Sequence, residues 1–196
     1  MKKNIIIIGT GGHATSLVDV IENNKNFKIL GFLCNKKKSG STHLGYKIFG
    51  DDNYLTKYKK KKPLVTFGFS SYKNLNFYEK KFLNLKKKGF SFATIVSPLS
   101  YVSRRVVLEE GVVIFHGVII NSNCKIAKGV TINSKTLIEH DVKIGSFSHI
   151  STGCTLNGGV KISNKVFIGS NTTIKENVKI LKKKFIKMFS SVTKNI

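Results

Sequence analysis

The sequence predicts two parts in series, a small βαβ domain over residues 1–92 and a parallel β-helix of hexapeptide repeats over residues 93–196. Three observations predict this. Aliphatic residues recur every six positions through the second half; a small or β-branched residue follows each of them four positions later; and a short apolar run near the start closes on a glycine-rich turn.

The repeat is the strongest of these. From Ile114 to Val192 every sixth residue is Ile, Leu or Val, fourteen positions without a miss, and Leu108, Val102 and Val96 keep the phase backwards. At an apolar content of 41%, one register would do this by chance about four times in a million. The second column runs Val118, Cys124, Val130, Thr136, Val142, Ser148, Cys154, Val160, Val166, Thr172, Val178. A period of six suits neither a helix nor a plain strand. It suits a triangular coil of three short strands, each sending one large and one small side chain inward. Coils stacked about 4.8 Å apart then pair as parallel strands, with Gly and Asn taking the unusual corner dihedrals. Eighteen residues make one coil, so residues 96–196 give between five and six.

The first part reads in order as strand Lys3–Ile8, turn Gly9–His13, helix Ala14–Asn23, strand Phe27–Leu33 and strand Pro63–Phe67. A helix over Asn74–Lys88 follows, with Phe77, Phe82 and Leu85 expected on one face. A glycine turn between strand and helix exposes amides suited to an anion. Here the turn Gly9-Thr10-Gly11-Gly12-His13-Ala14 lacks the third glycine of the dinucleotide fingerprint, and no acid ends the second strand, which argues against NAD.

Composition narrows the function classes. The net charge of +24 comes from lysines spread along the chain, with clusters at Lys36–Lys38, Lys57–Lys62, Lys86–Lys88 and Lys182–Lys184. Arginine, the better reader of bases, occurs only at Arg104 and Arg105, and no nucleic-acid motif accompanies the charge. The lysines are therefore read as solvated surface that helps attract anionic substrates, with no nucleic-acid partner. The apolar run Ile5–Ile8 is too short for a secretory signal and no stretch is long enough for a membrane span, so a cytoplasmic protein is expected. Three cysteines, Cys34, Cys124 and Cys154, lack metal-ligand spacing, and no metal is expected.

A GxGGH-containing βαβ domain followed by hexapeptide repeats resembles the bacterial sugar acetyltransferases of the NeuD/PglD type over nearly the whole chain. The most specific stretch is Ile132–Gly153, which holds Ile138-Glu139-His140-Asp141 and Phe147-Ser148-His149-Ile150. The resemblance implies coils wound as a left-handed β-helix, acetyl-CoA as co-substrate, a sugar or nucleotide-sugar acceptor, and a homotrimer with active sites between neighbouring β-helices. It also implies His140 as general base, Asp141 as the acid that raises its basicity, and His149 beside the acetyl-CoA thioester. Gly169, Ser170 and Met188 would line the cofactor, while Gly11, Gly12, His13, Cys34, Asn35 and Gly68 would meet the acceptor.

Elementary chemistry agrees with the first two roles. Acetyl transfer needs a base near neutral pKa to take a proton from the attacking amine or hydroxyl, and a neighbouring carboxylate fixes the imidazole tautomer. Both residues fall at a coil corner, from which side chains project outward. One coil further on stand Gly158 and Gly159, whose missing side chains leave room for acceptor and pantetheine. His116, on another face, is read as structural.

Two departures from the family pattern bear on substrate and cofactor. Cys34 and Asn35 replace an acidic pair that meets the nucleotide, which points to a nucleotide other than uridine or to a free sugar. In Ile180–Ile196, Lys184 and Met188-Phe189 replace small residues, and no proline-containing tail is expected beyond Ile196. Either these lysines hold cofactor phosphates or cofactor binding is weakened. The alternative to an enzyme is a non-catalytic relative that binds a nucleotide sugar or supports a partner enzyme; acyl transfer to a non-sugar acceptor and charge-driven nucleic-acid binding are the remaining readings.

Overall fold

The structure is a computed structural model that describes residues 2–58, 60, 62–70 and 74–196. Within the lysine cluster Lys57–Lys62, Lys59 and Lys61 lie outside the described residues. By contact the chain divides into two units, Met1–Ser70 with Leu83–Ala93, and Ser71–Phe82 with Thr94–Ile196.

In the first unit, β1 (Lys3–Ile8) is the central strand of a parallel sheet. It lies between β2 (Phe27–Leu33) and a later strand at Leu64–Phe67. Central position explains why Ile5 to Ile8 run without alternation: all four are buried, as in a strand covered on both faces. Helix α1 (Gly12–Asn23) turns Ala14, Leu17, Val18, Val20 and Ile21 inward. Two elements carry no periodic signal in the sequence. One is the hairpin β3 (Thr42–His43) and β4 (Tyr46–Lys47), and the other a 3-10 turn at Asp52–Lys57. Asp51 caps that turn by accepting from the Asn53 amide at 2.9 Å.

Helix α2 (Leu75–Lys87) buries Tyr78, Phe82 and Leu85. Phe77, expected on that face, is 53% exposed. Residues 78, 82 and 85 keep the four-and-three spacing of one helical face, whereas 77 and 82 are five apart. Tyr78 and Phe82 close edge-on over Phe147, at ring separations of 6.4 and 5.2 Å.

The second unit contains a left-handed parallel β-helix of seventeen two-residue strands, just over five and a half coils. The first face holds Ile95–Val96, Val113–Ile114, Thr131–Ile132, His149–Ile150, Phe167–Ile168 and Phe185–Ile186. The second runs from Tyr101–Val102 to Ser191–Val192, and the third from Val107–Leu108 to Lys179–Ile180. Pairing is in register at a spacing of eighteen, as Ile120↔Ile138 and Ile144↔Ile162 illustrate. The two inward columns form one core, with Ile114, Val118, Ile132, Ile138, Ile150 and Val160 at 0% exposure.

The corners explain the other half of the pattern. Every sixth residue from Gly111 to Phe189 has a positive φ. Five are Gly, three Asn and one Asp, residues suited to that conformation. The remaining five, Lys135, Phe147, Lys165, Lys183 and Phe189, are not. Phe147 is held there by burial against Tyr78 and Phe82. Lys165 is held by its ion pair with Glu79, at 2.6 Å and largely out of water.

Candidate active site

The corner after the second-face strand Leu137–Ile138 carries the candidate base. Ile138 points into the core, which turns Glu139, His140 and Asp141 onto the outer edge. The imidazole Nδ1 of His140 lies 2.7 Å from Asp141 Oδ2. Asn123, one coil earlier, donates its side-chain amide to Asp141 Oδ1, and the Asp141 amide donates to Ser122 O at 3.1 Å. The carboxylate is thus held from two sides. The hydrogen bonds from His140 and Asn123 lower the Asp141 pKa, helped by the charges of His140 and Lys143. An ionised Asp141 accepts the Nδ1 proton, which leaves the lone pair of a neutral imidazole on Nε2.

The ring lies along the following coil while the side chain stays 64% exposed. A Cβ built on Gly158 would come 2.7 Å from His140 Cε1 and 2.8 Å from Nε2. The space expected for acceptor and pantetheine over Gly158 is therefore taken by the imidazole itself, and that over Gly159 by the Asn177 side chain. The absence of a side chain at 158 lets the ring lie along the coil. In stacked coils the nearest occupant of such a gap is a side chain of a neighbouring coil.

His149 has a different setting. It is 4% exposed on the first face, where its Nε2 accepts from Asn133 Nδ2 at 2.9 Å. Its ring stacks on Phe167 at 5.4 Å, and Phe167 stacks on Phe185 at 4.6 Å. His140 stands at a corner of the second face, so one chain does not bring the two histidines onto the same face. Gly169, Ser170 and Met188 follow the first-face strands at Phe167–Ile168 and Phe185–Ile186 and share one corner. Gly169 is buried against the Lys187–Met188 backbone, Ser170 is half-buried and Met188 is 61% exposed. His116 bonds Ser97 Oγ at 2.6 Å, in keeping with a structural role.

In the first unit, Gly11 is the N-cap of α1 and makes no side-chain cap bond, while Gly12 has nothing within 4 Å of where a Cβ would lie. The helix N-terminus is thus open for a close anionic approach. Burial pushes the His13 pKa down to about 4, so its imidazole is neutral at pH 7. Gly68 has a packing reason of its own: a Cβ there would sit 2.5 Å from Gly9 O. Cys34 and Asn35 line a cleft of about 450 Å³ with Lys37, Phe49, Asp51 and Tyr54. Desolvation opposes the Cys34 thiolate. The Thr10 hydroxyl at 3.2 Å, the Lys36 and Lys37 amides and the Lys37 charge outweigh it, so the thiol titrates below its ordinary value. Tyr54 is already engaged: Phe49 stacks on one face at 4.4 Å and Lys57 Nζ lies 3.4 Å from its ring centroid.

Sequence reasoning missed Asn123, Asn121 and Asn133. Asn121 donates to Glu139 Oε2 at 2.9 Å. The coil length was the available signal, since 123 and 121 stand eighteen residues before 141 and 139. Among the described residues no cluster of His, Cys, Asp or Glu could hold a metal ion, and no helix is long and apolar enough to cross a membrane.

An α/β unit joined to a left-handed β-helix of hexapeptides, with a His–Asp pair at a corner, defines the structural class. Residues 4–74 match the family described as the PglD N-terminal domain. The fold is shared over the whole chain with the acetyltransferase domain of PglB from Neisseria gonorrhoeae FA1090, solved in complex with acetyl coenzyme A. That likeness has a TM-score of 0.91 at 20% identity, covering 100% of this chain and 93% of that one. PerB from Caulobacter crescentus, in complex with CoA and GDP-perosamine, aligns at TM-score 0.66 and 21% identity over 93% of this chain and 91% of its own. WeeI from Acinetobacter baumannii AYE aligns at 0.65 and 19%, over 100% and 93%. No curated protein sequence gives a significant match.

Proposed function

We propose that the chain is an acetyl-CoA-dependent acetyltransferase acting on an amino or hydroxyl group of a sugar or nucleotide sugar in bacterial surface-glycan or sialic-acid-like sugar synthesis. The observation that carries this is the exposed His140–Asp141 pair with its Nε2 lone pair laid over Gly158. It stands on a fold shared with a domain bound to acetyl coenzyme A and a protein bound to CoA and GDP-perosamine.

Acetyl-CoA supplies an activated acetyl group as a thioester. His140 Nε2 takes the proton from the acceptor nitrogen or oxygen as it bonds to the acetyl carbon, and Asp141 steadies the resulting imidazolium. The same proton then passes to the departing thiol, so His140 ends neutral. Ser170 and Met188 would line the pantetheine arm, with Gly169 setting the coil spacing beneath it. The open turn at Gly11, Gly12 and His13, with Cys34, Asn35 and Gly68, would hold the acceptor's anionic part.

A homotrimer fits this reading. On the second face the outward residues Tyr101 and Ile119 are paired in register and are 60 and 43% exposed, and they lead through Leu137 to the His140 corner. A neighbouring chain covering that stripe would also bring a second surface to His140. The residue ranges 1–92 and 93–196 remain our proposed functional division.

Thiol release from acetyl-CoA tests the reading, with wild type and His140→Ala against UDP- and GDP-linked amino sugars and free sialic acid. Turnover lost with the substitution is expected. A non-catalytic relative is the second reading, favoured by Lys184 and Met188-Phe189, which the resemblance sets where the family has small residues; Met188 and Phe189 are 61 and 71% exposed. No turnover with any acceptor and no heat of acetyl-CoA binding would select it.

A further inference from the structure

Residues 179–196 hold Lys179, Lys182, Lys183, Lys184, Lys187 and Lys194, and no acidic residue. The same stretch leaves Leu181, Phe185, Met188 and Phe189 exposed by 60, 62, 61 and 71%. Leu181 and Phe189 stand at the two corners that bound the first face. Phe185 points outward from the strand between them, opposite in sense to the buried Ile186. The apolar groups therefore occupy one face of the coil and its two edges, interleaved with cations.

Phe189 argues that this surface is used. Its φ of 57° is a conformation that bulky L-residues avoid. The residues above it in the same corner column are Gly117, Lys135, Gly153 and Asn171, so Phe189 is the one aromatic residue in that column. Phe147, the other corner phenylalanine, is 2% exposed and clamped by Tyr78 and Phe82. No ring contact of that kind involves Phe189 among the described residues. The coil imposes that conformation at every corner, but no packing calls for a bulky apolar ring there, and its 71% exposure points to something outside the chain.

We infer that this coil docks on the surface of an anionic phospholipid bilayer, with Phe189 and Leu181 entering the headgroup layer and the lysines meeting lipid phosphates. The mixture of aromatic and aliphatic side chains with a one-signed cluster of lysines is the composition of interfacial binding. A protein partner fits less well, because lysine is depleted in interface cores, and a second copy meeting this one through the same coil would set its lysine cluster against an identical one. A nucleic acid would use the lysines but leave the apolar groups in water. The inference shares Met188 and the coil's lysines with the acetyl-transfer reading, but vesicle binding is measured without acetyl-CoA and so fails or stands independently of it.

Co-sedimentation of the full chain with phosphatidylcholine vesicles, and with vesicles also containing phosphatidylglycerol, tests it. The variants are Phe189→Asn, which suits the corner and keeps the coil, and Lys182→Gln with Lys187→Gln. Wild type is expected to bind only the anionic vesicles. Phe189→Asn should bind about tenfold more weakly at equal salt with an unreduced melting temperature, and the lysine pair should weaken binding by about tenfold or more. Equal binding by wild type and Phe189→Asn, or no binding by wild type, overturns the inference. So does lipid-independent self-assembly that Phe189→Asn abolishes.

Discussion

The imidazole of His140 rests on Gly158 of the following coil, so that a single methyl group at position 158 would lie 2.8 Å from Nε2. The candidate base is thus positioned from two coils: Asp141 fixes one edge of its ring and the absence of a side chain at 158 admits the other. Gly158 is not among the positive-φ glycines, so alanine there would conflict with the ring in its present position and not with the backbone. Gly158→Ala should swing the imidazole away from its carboxylate partner. We expect kcat to fall by at least tenfold, since small misplacements of a catalytic group are enough for that. Far-UV circular dichroism should be unchanged. Undiminished kcat would mean that His140 needs no such seat.

The carboxylate can be examined separately. Asp141→Asn removes the charge that fixes the Nδ1 proton, and kcat should drop about a hundredfold or more. Asn123→Ala removes only the second support of Asp141, so a loss of a few-fold is expected. Because Asp141 titrates below its ordinary 3.8 in the fold, the pair stays intact as pH falls until that lowered value is passed. Deprotonation above it then restores the bond. Side-chain NMR of Asp141 in wild type and Asn123→Ala would follow this, and an unshifted carboxylate in both would remove Asn123 from the account.

These supports mark how far the sequence could be read. Column positions such as Ile138 and Val142 were legible because an eighteen-residue coil buries the same two places on every face. His140 and Asp141 were legible as outward residues for the same reason. The filling of the Gly158 gap was not, because a missing side chain reads the same whether a ligand or the protein's own ring takes the space. Asn123 was hidden in plain register, one coil before Asp141. In the α/β unit the buried run Ile5–Ile8 was plain, but the Thr42–Lys47 hairpin and the Asp52–Lys57 turn have no alternation to announce them. On α2, Tyr78 rather than Phe77 faces inward because helical spacing outweighs side-chain polarity.

The third face carries a ladder of like charges. Lys125, Lys143, Lys161 and Lys179 pair in register on successive coils, all exposed. Strand neighbours about 4.8 Å apart place each ammonium beside another, and like charges directly opposite are destabilising. Lys143→Thr interrupts the ladder with a residue favoured in strands. It should raise stability by about 0.5 kcal/mol in low salt, with the gain shrinking as salt screens the repulsion. Thermal melts at two ionic strengths would decide, and a destabilised variant would mean that the lysine stems contribute more by packing than their charges take away.

His13 makes a prediction about acid. Burial lowers its pKa from 6.5 to about 4. Between these values the unfolded chain binds a proton that the folded chain refuses, so stability is complete above 6.5 and declines as pH falls toward 4. The loss from this one group is on the order of 3 kcal/mol at most. His13→Asn should flatten the wild-type slope in that window while leaving the behaviour above pH 7 alone. The chain has no tryptophan, so denaturation followed by circular dichroism is the appropriate measurement. Parallel slopes for the two proteins would show that His13 is accessible to protons in the fold.

The last prediction concerns assembly and follows from the apolar stripe beside His140. Ile119 lies between Tyr101 and Leu137 on the second face, in register with both. Its 43% exposure is unusual for isoleucine in a coil whose other isoleucines are buried. If three chains bury this stripe, wild type should sediment at three times the 21.8 kDa chain mass. Ile119→Lys would place a charge in each contact. An unpaired buried charge is strongly destabilising to an interface, so the variant should sediment as a 21.8 kDa species. Its β-helix would persist, because residue 119 points away from the core column at Ile120. Thiol release should disappear with the assembly, since His140 stands at the end of the same stripe. A wild type that sediments as a single chain and turns over would place the whole active site within one β-helix. A monomeric but fully active Ile119→Lys would carry the same meaning.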